Sequence, residues 1–98
     1  MAEQILIQQL SRADTDTYEV RIQDELSTTT HVVSVDSSYA RKITSVDDVS
    51  IESLLQASFR FLLAREPKDS ILAIFDLSDI ERYFPEYGQA MQQEFSAD

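Results

Sequence analysis

Histidine is the side chain best suited to acid–base work near neutral pH, and this sequence has one, His31. A general base needs a nucleophile to activate, and none is arranged for it. The chain has no cysteine, and no serine stands in a G-x-S-x-G setting. A single glycine, Gly88, cannot build a P-loop or a dinucleotide fingerprint, because both need several backbone positions free of a Cβ. The D-T-D at residues 14 to 16 offers two carboxylates, too few for a calcium or magnesium site, and reads as a solvated loop. His31 itself falls in phase with Val33 and Val35 and reads as a structural residue of a strand. No catalytic, cofactor-binding or metal-binding residue is therefore assigned, and a non-enzymatic protein is expected.

Two other groups of side chains could recognise a partner. Arg65 and Glu66 return toward the apolar side of a helix just before it ends, and charges placed there need partners. Glu81 and Arg82 lie on a following short segment within reach, so an ion-pair cluster stitching helices is the main reading and a recognition site the second. The aromatic residues concentrate in the second half of the chain. Most must be core, but Phe61 lies at the margin of its helix face, and Y-F-P-E-Y at residues 83 to 87 mixes rings with a proline. Phe61, Arg65, Tyr83 and Tyr87 are the candidate partner-binding residues.

The balance of charge limits what that partner can be. Eighteen acidic against eight basic residues give a formal charge of -10, a field that repels nucleic acid and anionic membranes. A helix-turn-helix over residues 67 to 84 fails on the same ground, since Lys68 and Arg82 are outweighed by Asp69, Asp76, Asp79 and Glu81. At 98 residues one domain with one core is expected, and 43% hydrophobic residues argue against wholesale disorder. The early apolar run Ile5 to Ile7 is too short for a signal peptide or a membrane span, so a cytoplasmic protein is expected.

The elements that must position these residues centre on Ser50 to Pro67. At 100° per residue, Ile51, Leu54, Leu55, Ser58, Phe59 and Leu62 share one face, opposite Ser53, Gln56 and Arg60. Ser50 is placed to cap this helix and Pro67 forbids it beyond Glu66. Tyr18 to Asp24 and Thr29 to Asp36 alternate as strands and predict an antiparallel hairpin, with residues 3 to 10 a third strand or a helix. Residues 11 to 17 read as a loop, Ser37 to Thr44 as a short helix, and Pro67 to Leu77 as a helix in preference to a buried strand. Ser78 and Glu81 match a capping box ahead of a brief helix that Pro85 ends, and Gly88 is a natural break. Residues 89 to 98 are either a docked helix or a fraying tail.

The pairing of T-T-H-x-V-x-V with F-R-F-L-L-A-R-E-P and S-I-L-A-I-F-D-L-S-D-I-E-R-Y-F-P-E-Y resembles a widespread family of small uncharacterised prokaryotic proteins. The resemblance covers about residues 18 to 87, implies a free-standing prokaryotic protein, and brings no activity with it. The expected fold is α+β, an antiparallel hairpin or three-stranded meander packed against one main helix and two or three short helices. The expected function is that of an acidic protein-interaction module, with an antitoxin or immunity-type protein as the alternative and a small hydrolase using His31 as the third. A hairpin alone leaves an open strand edge, so a homodimer through that edge or through Tyr83 to Tyr87 is also expected.

Overall fold

The computed structural model describes residues 3–11, 16–47 and 50–95. Three strands, β1 (Gln4–Ser11), β2 (Asp16–Gln23) and β3 (Thr28–Val35), run antiparallel, and a short β4 (Ile74–Asp76) joins parallel to β3. The sheet order is β1-β2-β3-β4, and the fold is α+β. A parallel pair cannot be closed by a hairpin. Helices α1 (Ser37–Thr44) and α2 (Ile51–Leu63) carry the chain from β3 across to β4, and α3 (Asp79–Tyr83) and α4 (Tyr87–Glu94) follow.

Period-two patterning decides which sheet face is covered. Tyr18, Val20 and Ile22 of β2 lie beside Val33 and His31 of β3, all buried, while Arg21 and Thr30 between them are exposed. Ile5 and Ile7 continue that inner face on β1, and Phe75 continues it on β4. Against it lies the main helix, burying Leu54, Leu55, Ala57, Ser58, Phe59, Phe61 and Leu62. Ser50 caps the helix through Ser53 N–H, as its position implies. It stops at Leu63, short of the limit set by Pro67, because the N–H groups of Arg65 and Glu66 both turn back to the Leu62 carbonyl.

Several expectations are corrected. Pro67 to Leu77 does not form a helix: one 3₁₀ turn at Lys68–Ser70 is followed by β4. The backbone groups that a helix would satisfy locally go to β3 instead, with Val32 N–H on the Ala73 carbonyl at 2.7 Å and Leu77 N–H on the Ser34 carbonyl at 2.9 Å. Leu72, which the helical reading turns inward, is 49% exposed. The loop expected over residues 11 to 17 is shorter, since β1 reaches Ser11 and β2 begins at Asp16; residues 12–15, with Asp14, lie outside the described residues. Residues 87 to 94 form a docked helix, α4, which buries Met91, so the fraying tail is not found up to Phe95. Residues 96–98 lie outside the described chain.

Local chemistry explains two further differences. Ser78 makes no cap to α3; its hydroxyl and N–H both go to the Asp76 carboxylate, at 2.6 and 3.0 Å. Gly88 is no break but sits inside α4, where a Cβ would come within 2.6 Å of Glu81 Oε2. That close approach leaves Glu81 room to accept the Tyr39 hydroxyl at 2.8 Å, joining α3 to α1. Neither long edge of the β2–β3 hairpin is free, because β1 covers one and β4 the other.

Candidate protein-binding groove

The four candidate residues separate into two buried rings, Phe61 and Tyr87, with exposed Arg65 packed on the first of them, and one outlier. Tyr87 is fully buried and Phe61 is 7% exposed, so neither offers a surface to a partner. The Phe61 ring meets the edges of Phe84 and Tyr87 at centroid distances of 5.9 and 5.4 Å. Arg65 lies over the same ring at 3.6 Å, donates to the Phe61 carbonyl at 3.1 Å and to Glu86 Oε2 at 3.2 Å. The stitching role expected for Arg65 therefore exists, but its partner is Glu86, at the start of α4, and not Glu81. Hydrogen bonding to its own backbone N–H and to Arg65 holds the Glu86 carboxyl below the usual carboxylate range.

Tyr87 is inside because the main helix needs it there. Ser58 puts a hydroxyl on the buried face of α2, and it donates to the Leu54 carbonyl at 2.7 Å while its oxygen lies 2.6 Å from the Tyr87 hydroxyl. Burial pushes the Tyr87 phenol well above its ordinary range. A serine on an apolar stripe can be satisfied by its own helix, as Ser58 is at the Leu54 carbonyl, so the sequence carried no signal that Tyr87 lies opposite it.

His31 is likewise structural in its contacts. It is 2% exposed, with Nδ1 2.7 Å from the Leu72 carbonyl and Nε2 2.9 Å from Thr29 Oγ1. Nδ1 can donate to the carbonyl and Nε2 meets the threonine hydroxyl, so both ring nitrogens have partners. The ring also packs against Phe59 at 5.6 Å. Among the described residues no group of three or more His, Cys, Asp or Glu stands where it could hold a metal ion. None of the described helices is long and apolar enough to cross a membrane.

Tyr83, the outlier, is 67% exposed and lines a groove of about 280 Å³ between the end of α2, the 3₁₀ turn and α3. Leu62, Ile71, Phe75 and Ile80, all buried, are its apolar lining, and half-exposed Leu72 also lines it. That volume is below the roughly 300–1,000 Å³ usual for small-molecule sites and suits one or two inserted side chains. Among the described residues the charged groups lining it are Glu66 and Asp79, with no lysine or arginine. Asp79 is engaged, accepting Asp76 N–H at 3.1 Å and facing Arg82 at 3.4 Å. Glu66 is half-buried, and among the described residues it takes part in no ion pair. Sequence reasoning noticed Glu66 only beside Arg65, and missed Leu72 and Asp79 because the helical reading of residues 67 to 77 hid the groove.

No family model matches this chain, and no curated protein and no solved structure is significantly similar to it.

Proposed function

We propose that the protein is a small acidic, non-enzymatic interaction module of a prokaryotic cytoplasm, and that its groove takes an amphipathic basic segment of a partner protein. The observation that carries this reading is Glu66, a half-buried carboxylate with no ion-pair partner among the described residues, set on an apolar groove whose other charged lining residue is also acidic. An aromatic or aliphatic side chain of the partner fills the floor, and a neighbouring lysine or arginine meets Glu66. The formal charge of -10 adds long-range steering toward basic partners and against nucleic acid and anionic membranes. Exposed Tyr83 and Leu72 provide the ring and the aliphatic edge that close over the inserted side chain.

The same charge supports a second reading, an antitoxin or immunity-type protein whose groove and acidic surface neutralise a basic toxin. The two readings differ in what binding does to the partner's activity, not in the surface used.

The test is a titration of isotope-labelled protein with a short synthetic peptide of lysine, leucine and phenylalanine, followed by amide shifts. Shifts confined to Glu66, Leu72, Tyr83 and their neighbours are expected, weakened by salt and by Glu66→Gln or Tyr83→Ala. Equal binding of a glutamate-for-lysine peptide, or shifts centred elsewhere, would overturn the reading.

A further inference from the structure

The outer edge of β1 has backbone groups that its own sheet does not use, and their identity follows from the ladder. Val32 N–H and the Ser34 carbonyl bond across to the β4 segment, so the backbone groups of Val32 and Ser34 face β4. Alternation then turns Val33 and His31 toward β2, paired with Tyr18 and Val20, and leaves Glu19 and Arg21 of β2 to bond Gln8 and Leu6 of β1. Ile5 and Ile7, in the alternate phase, point their N–H and C=O away from the sheet. An independent contact agrees with this: Gln56 Nε2 of α2 reaches the Ile5 carbonyl at 2.9 Å, around the edge of the sheet.

We propose that this edge pairs antiparallel with β1 of a second copy, about a two-fold axis at Ile7, joining the two four-stranded sheets into one. Charge selects the occupant. The eight residues of β1 carry no charged side chain in a chain that is 27% charged and formally -10. A basic partner has nothing to meet there, whereas two acidic copies approach with least repulsion, their other charges screened over a length of about 8 Å at physiological salt. The edge is also self-complementary, since Ile7 N–H and C=O exchange with the same groups of the second copy.

The usual protections of an edge are absent from β1, which has no proline and no lysine or arginine. Leu6 is 44% exposed beside the outward-facing positions and gains cover from the added strand. The register shift between Gln9 and Ser11 interrupts the regular ladder there and limits the pairing to the residues around Ile7. This interface is separate from the groove, so either can fail alone.

Analytical ultracentrifugation of the intact chain against Ile7→Pro tests the pairing. Proline there removes the central outward N–H and leaves the β1–β2 ladder its donors. The parent should show a concentration-dependent dimer, and Ile7→Pro should weaken it at least tenfold while keeping the parent's circular dichroism. Because the chain has no cysteine, Ile7→Cys gives a second measurement. Mild oxidation should link it across the two-fold far faster than Leu26→Cys, placed on a turn and 93% exposed. A parent that stays monomeric throughout the concentration range, a folded Ile7→Pro that dimerises as the parent does, or equal cross-linking of the two cysteine variants would overturn the proposal. Should Ile7→Pro fail to fold, the cysteine pair decides.

Discussion

The two edges of the sheet are built on opposite principles. β4 is three residues long, and its surroundings hold it through side chains: His31 takes the Leu72 carbonyl, Ser34 donates to the Asp76 carboxylate at 2.7 Å, and Asp79 accepts the Asp76 N–H. That last contact closes an outward-facing donor with a carboxylate of the same chain. β1 is eight residues long and is held by its ladder to β2 and by Ile5 and Ile7 against the core, with Gln56 reaching the Ile5 carbonyl at its outer rim. A short edge plugged by charge resists a further strand, and a long neutral edge accepts one. The groove proposed to take a partner segment lies by the plugged edge, where an added strand would compete with it.

The contrast breaks if β4 is the weaker attachment. Phe75 is 8% exposed and its ring lies 6.1 Å from Phe59, so Phe75→Ala should cost about 3–5 kcal/mol of stability in urea denaturation at neutral pH. Ile5→Ala on half-buried β1 should cost less, about 1–2 kcal/mol. Equal losses would mean that β4 is not anchored through its one inward ring. Next in size is His31→Ala, which removes the donor to the Leu72 carbonyl and a ring from the face of Phe59. A loss of about 1–3 kcal/mol is expected, at the lower end if water reaches the half-exposed Leu72.

These residues also mark where sequence reasoning reached and where it stopped. The main helix was legible because its stripe repeats over 13 residues between Ser50 and Pro67, and β2 and β3 because eight alternating residues each bury one face. β4 was not, since its run of apolar residues fits a helix turn as well as a strand. What decides is the pairing of Ile74 with Val32, more than forty positions away, and the carbonyl that His31 demands. The candidate site inherited that error. Phe61 is expected at the surface from its place at the margin of the helix face and Tyr87 from the proline near it in Y-F-P-E-Y, yet both are buried, while the groove is formed by a segment whose element was misread.

A smaller effect, and one with a pH signature, concerns how the β4 connection is tied back to the β2–β3 turn. Lys68, in the 3₁₀ turn, is buried with its ammonium 2.6 Å from Asp24 Oδ2. The Lys68 hydrogen bond, with N–H donors of Ser27 and Leu26, lowers the Asp24 carboxyl from 3.8 to about 2. A folded value below the unfolded one stabilises above the unfolded value and loses that contribution as pH falls through the folded value. Asp24→Asn should therefore be less stable than the parent at neutral pH, and the difference should shrink between about pH 4 and about pH 2. A difference constant across that window, followed by thermal melts, would show that the contact does not depend on the charge of Asp24.

The smallest expected change is the most informative about the edges. Gln56→Ala removes the side-chain donor to the Ile5 carbonyl at the outer rim of β1 and leaves that carbonyl to water. The net value of such a hydrogen bond is about 0.5–1.5 kcal/mol, and because the carbonyl stays accessible the loss in monomer stability should lie at the low end. Dimer formation should move the other way. In the proposed pairing the Ile5 carbonyl lies on the seam, and one already taken by Gln56 must be released before it can accept from the added strand. Without Gln56 that release is not required, and dissociation should become weaker by a few fold, up to about tenfold for 1.4 kcal/mol. A variant slightly less stable as a monomer yet tighter as a dimer would identify Gln56 as a partial counterpart of the Asp79 plug. A variant that loses stability and dimer affinity together would show instead that Gln56 supports β1 rather than guarding its edge.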